Sequence, residues 1–233
     1  LNAAILGPDA EPGTPEFDLF VKEVRKEMTV KCGQKCTAVR RIFVPEAHMD
    51  AVQDALIAQL TKTVIGDPQQ DGVRMGDLVD KAQCQDVLDQ VAKLEQEAER
   101  VFGDPSSLQT VGADANKGAF LPPMLLRNSN PTGSTLCHEV EAFGPVSTLM
   151  PYRDIEEAVA LTEKGKGSLC CSITTNDKHA AKTFVREAAH MHGRILVLNR
   201  ECAAESTGHG SPLPLLVHGG PGRAGGGEEM GGL

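Results

Sequence analysis

"GPVSTLMPYRDIEEAVALTEKGKGSLCCSITTNDKHAAKTFVREAAHMHGRILVLN", from Gly144 to Asn199, is the stretch that decides the fold class. Three short β-rich runs, "GPVSTLMPY", "SLCCSITT" and "GRILVLN", are separated by two segments of helical character, Asp154–Glu163 and Asp177–Met191. Strands that return through a helix run parallel, because a parallel pair needs a long crossover. The alternation therefore predicts an α/β domain with a mostly parallel sheet and helices on its faces, a three-layer arrangement.

The same rhythm extends toward the N-terminus. "AAIL" (Ala3 to Leu6) reads as a short buried strand, followed by loop chemistry in "GPDAEPG". Thr14, Pro15 and Glu16 mark a helix start: a capping hydroxyl, a proline at the first helical position and an acid near the positive end. Phe17, Phe20, Val21, Val24 and Met28 then recur at helical spacing, and Gly33 is a plausible stop. "RRIFVP" (Arg40 to Pro45) predicts a strand. A second amphipathic helix is expected from Pro45 to about Val64, with Val52, Leu56 and Leu60 on one face. After the turn "GDPQQDG", the spacing of Val87, Val91, Leu94 and Ala98 predicts one long polar helix from Lys81 to about Phe102. Residues 103–118 read as polar loop. "AFLPPMLL" is strand-like, and Pro122 and Pro123 predict that it runs at a sheet edge. There are no internal repeats and no heptads.

Composition narrows the function classes. With 233 residues and 40% hydrophobic content, the chain can bury a sizeable core without staples. A net charge of -9 argues against nucleic-acid partners, whose phosphates reward a basic face. The absence of Trp and the single Tyr disfavour stacking platforms for bases. No apolar run approaches the roughly 20 residues that a spanning helix needs, so no membrane partner is expected. Seven cysteines, an odd number in a chain this long, fit a reducing, cytoplasmic setting. The two ends, "LNAAIL" and "GGEEMGGL", read as cuts within a longer polypeptide.

"MTVKCGQKCTAVRRIFVP" (Met28 to Pro45) holds Cys32 and Cys36. Structural zinc would need a second pair at comparable spacing, and none exists, so no metal site is expected. A Cys-x-x-Cys redox pair is absent as well. Cys36 lies past the stop at Gly33 and is flanked in sequence by Lys31, Lys35, Arg40 and Arg41. A positive surround favours the thiolate, the species that attacks carbonyl carbon. The other reading, a small buried hydrophobe, stays open. In the glycine-rich tail, "GPGRAG" satisfies G-x-G-x-x-G, but a dinucleotide fingerprint requires a strand before it and a helix after it. A backbone that approaches a ligand or a neighbouring strand closely suits these glycines better. Arg223 serves either an anion or a local carboxylate. Residues 203–233 carry His209, His218, Arg223 and paired glutamates, which suit an ordered functional loop better than a linker. In "HEVEAFGPV" (His138 to Val146), Glu139 and Glu141 are either solvated acids or, held by the Phe143-Gly144-Pro145 turn, groups placed to bind hydroxyls.

"GQKC" with the following "TAVRRIFV", and "EAFGPV", together resemble the two signatures of the aldehyde dehydrogenase superfamily, in the family's order and near its usual separation. The tail "ESTGHGSPLPLLVHGGPGRAGGGEEMGGL" is similar to that of the ring-cleavage aldehyde dehydrogenases of aerobic aromatic degradation through CoA thioesters. Some of these are fused to a hot-dog-fold, hydratase-like domain. The resemblance implies that residues 1–233 are a catalytic domain, with the nucleotide-binding domain, the general-base glutamate, the oxyanion asparagine and the final oligomerisation strand outside the chain. On that basis the chain alone is expected to be inactive. The resemblance further implies Cys36 as nucleophile, Glu141 as binder of the nicotinamide ribose hydroxyls, and Phe143 packing beside the cofactor, NAD or NADP. The implied substrate is a CoA-linked semialdehyde, and the implied full-length protein is a homo-oligomer. One departure is Lys31, where the family commonly has Asn.

Overall fold

Alternation along each strand sorts one sheet's side chains onto two faces. In β1 (Asn2–Leu6), Ala3 and Ile5 join one apolar cluster while Ala4 and Leu6 join the other, and all four are buried. The computed structural model describes residues 1–211 and 216–228. Part of the tail, including residues 229–233 with one of its paired glutamates, lies outside them.

β1 is an interior strand of a seven-stranded sheet. The other strands are β2 (Val39–Pro45), β3 (Glu99–Phe102), β4 (Met124–Arg127), β5 (Val146–Tyr152), β6 (Ser168–Thr174) and β7 (His192–Leu198), in the order β3-β4-β5-β2-β1-β6-β7. Every neighbouring pair is parallel except β3 with β4. Helices α1 (Pro15–Thr29) and α2 (Met49–Leu60) cover one face through Phe17, Phe20, Val24, Val52 and Leu56. Helices α3 (Lys81–Leu94), α5 (Ile155–Glu163) and α6 (Lys178–Ala188) cover the other through Val87, Val91, Val159 and Phe184. A one-turn helix, α4 (Leu136–Glu139), precedes β5. The predicted three-layer α/β class is the observed one. Each fully buried apolar side chain contributes roughly 1.5–3 kcal/mol, so the two faces together carry the fold.

The helix starts follow the capping logic. Thr14 accepts from the Phe17 N–H, and Asp80, Asp154 and Asp177 cap α3, α5 and α6 in the same way.

Two expectations are corrected. The segment from Lys81 to Phe102 is not one helix: α3 stops at Leu94 and the chain turns into β3. Arg100, Val101 and Phe102 are better strand than helix formers in sum, and pairing with β4 settles the contest. β4, in turn, is not an edge, because β3 covers it on one side and β5 on the other. Pro122 and Pro123 precede the paired residues, so neither costs the ladder a donor.

The tail is ordered where it is described. β8 (Val217–Gly220) and β9 (Gly225–Glu228) form an antiparallel hairpin beside β6 and β7. "GPGRAG" spans its turn. A strand does precede the glycines, but a strand also follows them, so a helix N-terminus for a pyrophosphate is missing.

Candidate active site

The loop that carries Cys36 begins with a forced reversal. α1 ends at Thr29, and Lys31, Cys32 and Gly33 then adopt φ of 53°, 54° and 67°. The left-handed region is costly for Lys31 and Cys32 and easy for Gly33. Cys32 is buried, and its thiol donates to the carbonyls of Gly76 and Asp77 at 3.2 and 3.1 Å. Burial pushes that thiol up to about 11, so Cys32 anchors the reversal.

Cys36 lies in the turn that follows, closed by the Ala38 N–H donating to the Lys35 carbonyl at 3.0 Å. Of the seven cysteines, all within the described residues, only Cys36 is exposed. Burial raises the thiols of Cys84, Cys137, Cys170 and Cys171, that of Cys170 to about 12. The turn is pinned from beneath. Asn2 Nδ2 donates to the carbonyls of Cys36 and Ala38 at 2.8 and 3.1 Å, while its Oδ1 accepts from the Cys170 N–H. Thr37 Oγ1 donates to the Gly210 carbonyl at 3.1 Å.

The structure brings the second signature directly against the first. Arg40, buried in β2, donates from Nη2 to the Gly33 carbonyl and from Nη1 to the Gly144 carbonyl, both at 2.6 Å. Its Nε is 3.3 Å from Glu141 Oε1, and its guanidinium lies over the Phe143 ring at 5.3 Å. Burial lowers the Arg40 pKa and Glu141 opposes the shift. A Cβ on Gly33 would overlap the Gly144 carbonyl, so the two loops meet backbone to backbone. Glu141 stays more than a third exposed, and its carboxylate retains acceptor capacity beyond the Arg40 bond. Phe143 is half-buried, and its carbonyl accepts from Gln83 Nε2 of α3 at 3.0 Å. A carboxylate with spare lone pairs can accept from hydroxyl groups.

Three of the four cations expected around Cys36, Lys35, Arg40 and Arg41, bind other groups. Lys35 Nζ binds the buried Glu27 of α1 at 2.8 Å. Arg41 points beneath the sheet to the carbonyls of Leu1, Leu161 and Thr162 and to His138 Nδ1. His218, on β8, lies beside the sulfur instead, with Nε2 3.2 Å from Cys36 Sγ. The sequence offered seven histidines and no signal to choose among them, because the contact spans 182 positions. Arg223 donates from Nη2 to the Glu139 carbonyl at 3.1 Å, an engagement with backbone rather than with a carboxylate. Glu139 itself pairs with Lys166. His209 is buried, bonded to Ser172 Oγ at 2.8 Å, and its Nε2 is 3.3 Å from Cys170 Sγ. A groove of about 350 Å³, lined by Glu46, Asn130, Tyr152, Arg153 and Glu157 among others, includes none of the Cys36 residues.

Fold and site define a three-layer α/β domain that presents an exposed, turn-borne cysteine clamped to a Glu-x-Phe-Gly-Pro turn. The chain belongs to the aldehyde dehydrogenase family, whose family model matches residues 2–231. It is 47% identical over 221 residues to a 3,4-dehydroadipyl-CoA semialdehyde dehydrogenase from Aromatoleum evansii, covering 95% of this chain and 43% of that one. It is 51% identical over 160 residues to Protein MaoC of Klebsiella aerogenes, covering 68% and 46%. Its fold matches that of a betaine aldehyde dehydrogenase point mutant from Staphylococcus aureus, in complex with NAD+, with a TM-score of 0.77 at 20% identity over 96% of this chain and 42% of that one. The chain spans less than half the length of these relatives. No helix among the described residues is long and apolar enough to cross a membrane.

Proposed function

We propose that the full-length protein oxidises an aldehyde to the carboxylic acid, and that residues 1–233 form its catalytic domain. The observation that carries this reading is the exposed Cys36, three residues past Gly33, which Arg40 ties to Gly144 of the Glu141–Pro145 turn, in a chain of this family. The Cys36 thiolate attacks the carbonyl carbon, giving a thiohemiacetal. Loss of hydride leaves a thioester on Cys36, and water releases the acid. The Cys36 backbone N–H would donate to the developing oxyanion. A nicotinamide cofactor, NAD+ or NADP+, supplies the hydride acceptor when bound. Glu141 would accept from its ribose hydroxyls, and Phe143 would pack beside it. The A. evansii relative, a 3,4-dehydroadipyl-CoA semialdehyde dehydrogenase, supports a CoA-linked semialdehyde as substrate, and the likeness of the tail to ring-cleavage enzymes favours one formed by aromatic ring opening. We place the enzyme in the cytoplasm and expect the full-length protein to be a homo-oligomer.

The test is Cys36→Ala in the full-length enzyme, followed by cofactor reduction with a CoA-linked semialdehyde. The expected loss is on the order of 10³-fold or more, as for removal of other catalytic nucleophiles. Wild-type turnover in Cys36→Ala would overturn the reading. Aldehyde-analogue turnover that ignores the cofactor would instead point to a cysteine hydrolase.

A further inference from the structure

We propose that His218 is the proton acceptor for the Cys36 thiol. The inference rests on Cys36 being the nucleophile and adds a second group at the sulfur. Three observations carry it. The imidazole Nε2 is 3.2 Å from Sγ, within hydrogen-bond reach for a sulfur donor. Three of the basic residues near Cys36 in sequence are engaged by other groups: Lys35 by Glu27, Arg40 by Glu141 and two carbonyls, and Arg41 by the Leu1, Leu161 and Thr162 carbonyls and His138. The strand that carries His218 is also seated without tolerance. A Cβ on Gly193 of β7 would overlap the Gly219 carbonyl, and one on Gly220 would overlap the Ser168 carbonyl of β6. A Cβ on Gly167 would overlap the Pro221 carbonyl in the same way. Backbone lies on backbone along this seam, so the residue next to Gly219 has a fixed position over the turn of Cys36.

In the step itself the S–H bond breaks, an N–H bond forms at Nε2, and sulfur keeps the electron pair. The product is a thiolate–imidazolium pair with unchanged total charge, and the sulfur pair is then available to a carbonyl carbon. Charged or titratable groups in this region include Lys35 with Glu27, Arg40 with Glu141, Arg223 on the Glu139 carbonyl, Cys170 with the buried His209, Arg194, which bears on Cys170, and Glu228, opposite Val217 in the hairpin. None of the contacts named for these groups is to Sγ.

The experiment is alkylation of the full-length enzyme by iodoacetamide, without cofactor, with the Cys36 peptide quantified by mass spectrometry from pH 5 to 10. His218→Gln keeps an amide near the sulfur but cannot take a proton. His218→Phe removes the polar group. At pH 7 both variants are expected to alkylate Cys36 at least about tenfold more slowly, because an unassisted thiol is only a few per cent thiolate there. Near pH 9.5, where a thiol ionises unaided, they are expected to converge on the wild-type rate. Wild-type rates at pH 7 in both variants, or an equal loss at every pH, would overturn the inference. Because alkylation reads the thiol alone, a failed His218 prediction with an inactive Cys36→Ala leaves the dehydrogenase reading intact.

Discussion

Arg40 joins two loops through hydrogen bonds that a lysine cannot reproduce. Its planar fork reaches the carbonyls of Gly33 and Gly144 on opposite sides and Glu141 besides, whereas an ammonium is a point donor on a flexible stem. Arg40→Lys therefore leaves at least one buried carbonyl without a donor, at about 1–3 kcal/mol. The expected outcome is a lower urea midpoint together with a kcat loss in the full-length enzyme, since the nucleophile turn and the Glu141 turn would no longer share one position. A variant with wild-type stability and kcat would show that the loops hold each other through Gly33 alone. At this scale the sequence was half legible. Cys36 and Glu141 stood out because each sits in a short signature, and the capping residues stood out because caps act over three positions. The partner of Cys36 did not, because residue spacing cannot say which loop of a folded sheet lies over another. Proximity in sequence pointed instead to four cations, and at least three of them satisfy other groups.

Among the elements, the β8–β9 hairpin depends most on a missing side chain. Gly193 has no unusual backbone angle, so alanine there is barred by the Gly219 carbonyl and not by conformation. Both groups in that clash are backbone, which cannot rotate away. Gly193→Ala is expected to lift the hairpin, leaving the sheet's melting temperature within a few degrees of wild type while Cys36 alkylation at pH 7 slows as it does in His218→Phe. An unchanged alkylation rate would mean that the hairpin absorbs the methyl elsewhere. The elements most legible in advance were those with a full apolar face, such as α1, α6 and the three strands from β5 to β7. The missed ones were short. β3 is a four-residue strand whose identity comes from its partner, and β4 is paired on both sides although two prolines precede it. Local pattern cannot register a neighbour supplied by tertiary structure.

Across the whole molecule, three buried histidines are held neutral. Burial lowers His138 and His192 to about 4 and His209 to about 3. His138 Nε2 donates to the Pro131 carbonyl at 2.9 Å while its Nδ1 accepts from Arg41, an arrangement that needs the neutral ring. The unfolded chain takes up these protons as pH falls below about 6.5, and the folded chain does not until about 4. Stability should therefore decline through that window, with a slope of up to about 1.4 kcal/mol per pH unit for each histidine. Calorimetric unfolding at pH 5.5 in buffers of different ionisation enthalpy should report close to one proton taken up per buried histidine. An uptake of less than one in total would show that these rings are protonated in the native state.

The 182-residue span between Cys36 and His218 also sets an order of events during synthesis. β1 cannot take its place between β2 and β6 until β6 has left the ribosome, and the hairpin follows later still. The sulfur thus emerges well before its partner, and the imidazole arrives after all seven strands of the sheet exist. A nascent chain stalled just past β7 would already hold the core and the nucleophile, yet its thiol would lack the group that wakes it. Reactivity is in this way deferred until the fold that can contain it has formed.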